Sequence, residues 1–261
     1  MIDHSQVKLG KKPFTTDHRD LRLAKYLDKG RILDSEIIPA AFDWISMSGL
    51  AYDTDVLGND TWGCCVFAGI AHKLRRIGLM TGNANLSSIN ADDVVKTYLT
   101  LTGGADKGFE IREALKIMRK TGLFGATIDG FALVNMGDPD ERRIAAWLGC
   151  GTLNGYQLPL ASQNQVDAQG RQLWDVPAGG WPTGKGPGSW GGHCEDNHAE
   201  DNGLGTDNSW GDPTVRTDAW MRACCDEGYL MLVPQWGAAG KAPNGFAYAD
   251  LLSDIQARGG E

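Results

Sequence analysis

GNDTWGCCVFAGIAHKLRRIGLM, residues 58–80, is the stretch from which the rest of the chain takes its meaning. Val66, Phe67, Ala68 and Ile70 give its leading turns an apolar body, and Lys73, Arg75 and Arg76 bring positive charge to the later turns, where a helix accepts it best. The pattern predicts a helix with a buried start beside the Cys64–Cys65 pair. A helix N-terminus lowers a thiol's pKa through its dipole and unpaired amides, and Gly63 lets another backbone approach closely. Cys65 is therefore a candidate nucleophile; two small core thiols at a helix start is the alternative. His72 lies about two turns further on, too far along the axis to take a proton from Cys65, and suits a packing or surface role.

Upstream, residues 1–40 form a charged arm in which TTDHRDLRLAKYLDKGRI (15–32) can make a short amphipathic helix capped by Thr16 or Asp17. His4 and His18 belong to this arm and are expected in solvent. Downstream, helices are expected at 91–100 and 110–121, the second closed by Gly122, then a strand at IDGFALV and a helix at 138–148. Beyond these, turn signals break the chain into short segments, so the first half reads as helix-rich and the second as largely β. Residues 161–192 are dense in Gly and Pro yet carry Trp174, Trp181 and Trp190. They read either as a surface loop anchored by tryptophan or as a wall of a substrate cleft.

Composition narrows the function classes. A formal net charge of -8 disfavours broad attraction to nucleic acid phosphates. MIDHSQVKLGKKPF lacks the apolar core of a signal peptide, and no apolar run is long enough to span a bilayer, so no membrane role and a cytoplasmic location are expected. The cysteines at 64, 65, 150, 194, 224 and 225 include two adjacent pairs that suit neither disulfides nor zinc ligation, and reduced thiols follow. Cys224 and Cys225 are expected to end a short helix in the core, and Cys150 to sit in a tight buried turn. No cofactor is implied.

His193 and Asn208 lie downstream of Cys65 by ~130 and ~140 residues, in the order and span used by one class of thiol hydrolase. The segments FDW (42–44), GNDTWGCCVFA (58–68), GGH (191–193) and NSWG (208–211) resemble the landmarks of papain-like cysteine peptidases, in family order. TGGADKGFEIREALKIMRKTG (102–122) is similar to the family's Gly-Gly subsite wall and following helix, so the resemblance spans about residues 41–236. It implies a papain-like α+β fold of two lobes: an arm at 1–40, a helical lobe at 41–125 with the nucleophile, and a β-rich lobe at 126–261 with His and Asn. It further implies that His193 takes the proton of Cys65, that Asn208 orients His193, and that Trp210 shields their bond. Asn59 would bind the oxyanion together with the Cys65 backbone N–H, and Gly103, Gly104 and Trp210 would contact substrate. His198 is the second choice for the base.

The chain departs from the family pattern at Asn59, where Gln is usual, at Val66, where an aromatic is usual, and at Trp62, where secreted members have a disulfide cysteine. It departs furthest at CEDNHAEDNGLGTD (194–207), where the family has an apolar central strand. Acidic residues do not suit a buried strand, so a solvated loop is expected there; the alternative is a hard-cation site formed by Asp196, Glu200, Asp201 and Asp207. The expected activity is hydrolysis of peptide or isopeptide bonds through a thioester, on a polypeptide substrate. The alternative is a weak or inactive scaffold that binds a partner protein. The compact form resembles members encoded by bacteriophages, whose work includes virion maturation, host lysis and structural roles, so host cytoplasm or the virion is the expected location and virion proteins are the expected partners. Family zymogens carry longer propeptides than the lead-in here, which implies a structural arm or a short one that partly covers the cleft.

Overall fold

The computed structural model describes residues 7–27, 38–238 and 253. Helix boundaries follow local chemistry. Asp43 accepts from Ile45 N to open α1 (Trp44–Ser48), and Cys64 precedes α2 (Cys65–Thr81), the 17-residue helix expected from its apolar start. After α3 (Ala84–Ser87), a reciprocal Asn90–Asp93 capping box opens α4 (Ala91–Thr102), and α5 (Ile111–Lys120) stops just before Gly122. Asp138 and a proline in the first turn open α6 (Pro139–Leu148); α7 (Asp218–Cys224) and α8 (Pro234–Ala238) follow late in the chain.

The strands are β1 (Ala41–Asp43), β2 (Gly130–Leu133), β3 (Thr152–Leu158), β4 (Leu173–Trp174), β5 (Gly191–Asp201), β6 (Leu204–Ser209), β7 (Asp212–Thr217) and β8 (Cys225–Leu232). They form one sheet in the order β2-β8-β3-β5-β6-β7-β4, antiparallel except for β4 on β7, with β1 pairing the far end of β5. The architecture is therefore mixed α+β. Helix α2 lies across β3 and β5, and Gly69 permits the approach: a Cβ there would come within 2.9 Å of Leu153 Cδ1. Trp44, Trp147 and Trp236 pack with Phe42 where α1, α6 and α8 meet. Cys150 sits buried in a turn at φ 54° and Cys224 ends α7, as expected, whereas Cys225 opens β8 and is only partly buried.

Residues 194–207 overturn the expectation of a solvated loop. They form most of β5 and β6, with Glu195, Asp196 and Asp207 fully buried. The expectation rested on the cost of burying an unpaired charge, and these charges are paired. Arg76 of α2 grips both oxygens of Asp196 and donates to Cys150 O at 2.6 Å. Arg216 of β7 bonds Glu195 and lies 3.0 Å from Asp207, and its guanidinium stacks among the rings of Tyr156, Trp174 and Trp220. Tyr156, Asn154 and Asn197 occupy the remaining lone pairs of Asp207. Among the described residues, no group of three or more His, Cys, Asp or Glu side chains is arranged to hold a metal ion.

The arm also differs from expectation. Within 7–27 the one helical element is the 3-10 turn Leu23–Lys25, and residues 28–32 of the expected helix lie outside the described residues, as does His4. Asp17 accepts from Arg19 N in a local turn instead of capping a helix. The reason is tertiary. Leu133 N donates to Leu21 O, and Leu9, Phe14, Leu21 and Leu23 pack on the core at spacings that no single helix face provides. His18 is exposed, as expected. No helix among the described residues is long and apolar enough to cross a membrane.

Candidate functional site

Cys65 is the first residue of α2 and is fully buried. Burial pushes its thiol up to about 11; the backbone N–H groups of Cys194 and Gly10 and the charge of Lys11 pull the other way. Burial raises Cys64 further still, with Cys65 itself adding to the rise. Cys65 is thus the more acidic of the pair, but it is a neutral thiol in this arrangement, not the ionised one expected from its helix-start position alone. The cause is what lies on top of it.

Residues Lys8–Lys12 run between the Gly63 turn and the beginning of β5. Lys11 N donates to Gly192 O at 3.1 Å, Phe109 N donates to Gly10 O at 2.8 Å, and Lys12 N donates to Phe109 O at 3.0 Å. Gly10 passes so close that a Cβ there would overlap the Gly63 carbonyl, and a Cβ on Gly108 would overlap Gly10 O. Gly63 N is in turn fixed by Asp106, which also accepts from Tyr98 OH at 2.7 Å. The segment therefore covers the thiol with backbone, which only glycine permits at this point.

Asn59 and Trp210 converge on this segment as well. Asn59 Nδ2 donates to Trp62 O at 2.8 Å and more weakly to Lys8 O at 3.4 Å, and Trp210 Nε1 donates to the same Lys8 carbonyl at 3.3 Å. Two residues assigned by resemblance to oxyanion and substrate contacts thus hold a peptide carbonyl of the arm. Gly103 and Gly104, by contrast, end α4 in left-handed conformation with open space around them. The backbone against the arm comes from Gly108 and Phe109, four or five residues further on; the extra glycine in TGGADKGFE is the signal that could have pointed there.

His193 lies on β5 immediately before Cys194, whose amide faces the Cys65 thiol. Its ring stacks on Trp210, centroids 3.9 Å apart and planes inclined by 13°. Trp210 lies in turn against Trp190, tilted by 31° with centroids 5.6 Å apart, and Trp190 packs edge-on against Trp174, so the long Gly- and Pro-rich segment reaches this site through its tryptophans. His193 Nε2 is 3.4 Å from Ser209 Oγ and 3.5 Å from Glu195 Oε1, and Ser209 Oγ donates to Glu195 Oε1 at 2.9 Å.

The bond expected between Asn208 and His193 is not formed. Asn208 Nδ2 goes to Asp53 O at 2.9 Å and approaches His72 Nδ1 at 3.3 Å, and its Oδ1 accepts from Gly211 N at 3.0 Å. Register explains the difference. Asn208 pairs with Asp196, three residues along from His193, and faces α2, whereas Ser209 shares the face of His193 and Glu195. What sequence reasoning missed is Ser209 and Glu195, whose roles depend on that register. His72 is buried and bonded to Asp53, consistent with a packing role. His198, the second choice of base, is held by Asp43 at 3.1 Å and lies edge-on to Tyr52.

No protein-family profile matches this chain, and no curated protein matches it. Among solved structures, the chain is similar to xylellain, a cysteine protease from Xylella fastidiosa, with 15% sequence identity, a TM-score of 0.63, and coverage of 87% of this chain and 96% of that one. At that identity the likeness concerns the fold. The mixed α+β chain described here has a fold similar to that of a papain-like cysteine protease.

Proposed function

We propose that this protein is a papain-like thiol hydrolase of peptide or isopeptide bonds, held closed by its own N-terminal arm. The observation that carries the reading is the placement of Cys65 at the start of a buried helix, against the His193–Cys194 backbone, under an arm whose Lys8 carbonyl is held by Asn59 and Trp210. With the arm withdrawn, the thiol loses the burial that keeps it neutral and His193 takes its proton. The thiolate then attacks the substrate carbonyl carbon, and the Cys65 backbone N–H and Asn59 Nδ2 hold the oxygen that becomes negative. Collapse to the thioester breaks the C–N bond, and His193 returns the proton to the leaving amine. Water, deprotonated by His193, then hydrolyses the thioester and frees Cys65. Ser209 and Glu195 hold the His193 ring, and Asn208 contributes at one remove by fixing the Gly211 turn that presents Trp210. Helical and β-rich lobes at 41–125 and 126–261 are part of this reading, with the groove under the arm as the cleft between them.

A second reading, an inactive scaffold that binds a partner protein, draws support from the bonding of Asn208 to Asp53 and His72. A partner in a bacteriophage virion belongs to either reading. The discriminating experiment is cleavage of a peptide library by a chain whose arm is lifted with Gly10→Ala, with Cys65 intact and as the Cys65→Ala variant. Cleavage that disappears in the variant supports the hydrolase; equal background rates leave the scaffold.

A further inference from the structure

Lys11 enters a pocket built for a cation. Its Nζ lies 2.9 Å from Asp226 Oδ1 and 3.0 Å from Glu227 Oε1, and its side chain is fully buried. The two carboxylates are themselves positioned: Gln157 Nε2 donates to Asp226 Oδ2 at 2.7 Å, and Tyr229 OH donates to Glu227 Oε2 at 3.0 Å. Gly155 gives the Lys11 stem its space, since a Cβ there would overlap Lys11 Cε. Burial opposes the Lys11 charge, yet Glu227 and Asp226 hold its pKa above the ordinary value. The mouth of the pocket is lined by Gly192 O and the Phe109 backbone, the polar edges that hold the main chain beside Cys65.

We propose that the pocket floored by Asp226 and Glu227 is a specificity pocket for a lysine or arginine side chain of the polypeptide substrate, and that Lys11 occupies it as a stand-in. The proposal rests on the thiol hydrolase reading and names its substrate class. When the arm leaves, two adjacent carboxylates stand in one pocket with no cation between them. A substrate that lays its backbone on Gly192 and Phe109 places a side chain there within two residues of the bond presented to Cys65. A basic side chain restores both ion pairs. An apolar one covers the carboxylates without pairing them, which is the costly outcome. The flexible ammonium of lysine suits the three carboxylate oxygens now occupied, and the guanidinium fork of arginine can reach both carboxylates.

The test uses the full chain with Cys65→Ala, so that nothing turns over, and with Lys11→Ala and Gly10→Ala, so that the pocket and the backbone edges beside it are open. Its ligands are hexapeptides differing only in Lys, Arg, norleucine or Glu at one position, with affinity read by calorimetry. Lys and Arg peptides should bind at least about tenfold more tightly than the norleucine peptide. That preference should vanish when Asp226→Asn and Glu227→Gln are added. Equal affinities for the Lys and norleucine peptides overturn the proposal. Should Lys11→Ala fail to fold, the same peptides are added in excess to the Cys65→Ala chain, and amide exchange is followed at Lys11 and Lys12. Exchange faster with the Lys peptide than with norleucine supports the pocket; no difference overturns it. Neither measurement requires catalysis, so the hydrolase reading fails separately, by absence of Cys65-dependent cleavage in the chain whose arm is lifted with Gly10→Ala.

Discussion

Gly10→Ala tests the closed state at its tightest point. The added Cβ would overlap the Gly63 carbonyl, a backbone atom that cannot swing aside as a side chain could, so the arm must lift from Cys65. The thiol now stands at about 11 against an ordinary 9.0 because it is buried. Return to the ordinary value raises the thiolate fraction at pH 8 from ~0.1% to ~10%, about 100-fold, and removal of the cover adds access. The loss of arm packing should lower stability by about 1–3 kcal/mol, well short of unfolding a domain of this size. The assay is iodoacetamide alkylation at pH 8 with the adducts mapped by mass spectrometry, wild type beside variant. Cys65 should react at least about 30 times faster in the variant, while the buried Cys150 and Cys224 stay protected as controls for global opening. A Cys65 rate within about threefold of wild type in a folded variant would refute the reasoning, as would reaction of Cys64 ahead of Cys65.

Other consequences are open to measurement. Glu200 is buried, which pushes its carboxyl up to about 8 from 4.5, so the folded state holds a proton that the unfolded chain releases. Its contribution is complete below pH 4.5 and is lost as pH rises through about 8. Wild type should therefore lose on the order of 4 kcal/mol relative to Glu200→Gln across that window, and parallel pH profiles in urea unfolding would contradict it. Breaking the Arg76–Asp196 pair with Asp196→Asn should cost ~3–5 kcal/mol, and Arg76→Met with Asp196→Asn together should recover part of it; an effect below about 0.5 kcal/mol for the single change would show the pair to be solvated. Ser209→Ala should shift the ring nitrogen resonances of His193, and Asn208→Ala those of His72; the opposite pattern would restore the direct Asn208–His193 contact expected from sequence.

The parts of this molecule visible in its sequence are those governed by short-range chemistry. The start of α2 at Cys65 follows from Gly63 and the apolar run behind it, and Asn90, Gly103 and Asp138 mark helix ends by capping that needs no distant partner. The order of GGH and NSWG after the cysteine pointed to a fold similar to that of xylellain. The remainder depends on partners far along the chain. CEDNHAED looked unfit for a central strand because Arg76 lies 120 positions before Asp196, and nothing local announces that the two meet. The face on which Asn208 falls depends on an irregularity in β5–β6 pairing near Asn197 and Ala199, and a one-residue change of register exchanges Asn208 for Ser209 beside His193. The course of the arm was equally hidden, since backbone groups of Gly192, Phe109 and Gly63 hold it, and backbone leaves no residue-specific trace.

The acidic central strand also bears on how the chain can come together. An apolar strand collapses with whatever greasy surface arrives first, whereas β5 requires two particular cations, one from residue 76 and one from residue 216, before its interior can close. Its own hairpin with β6 adds Asp207 and supplies neither arginine. Until α2 docks, Asp196 has no arginine, so a segment such as 126–261 expressed alone would keep Arg216 for Glu195 but carry Asp196 in its central strand uncompensated. The expectation is concerted assembly: helix signal and tryptophan fluorescence should trace a single unfolding transition, and a stable, separately folded 126–261 fragment would show that the ionic strand does not tie the two halves together.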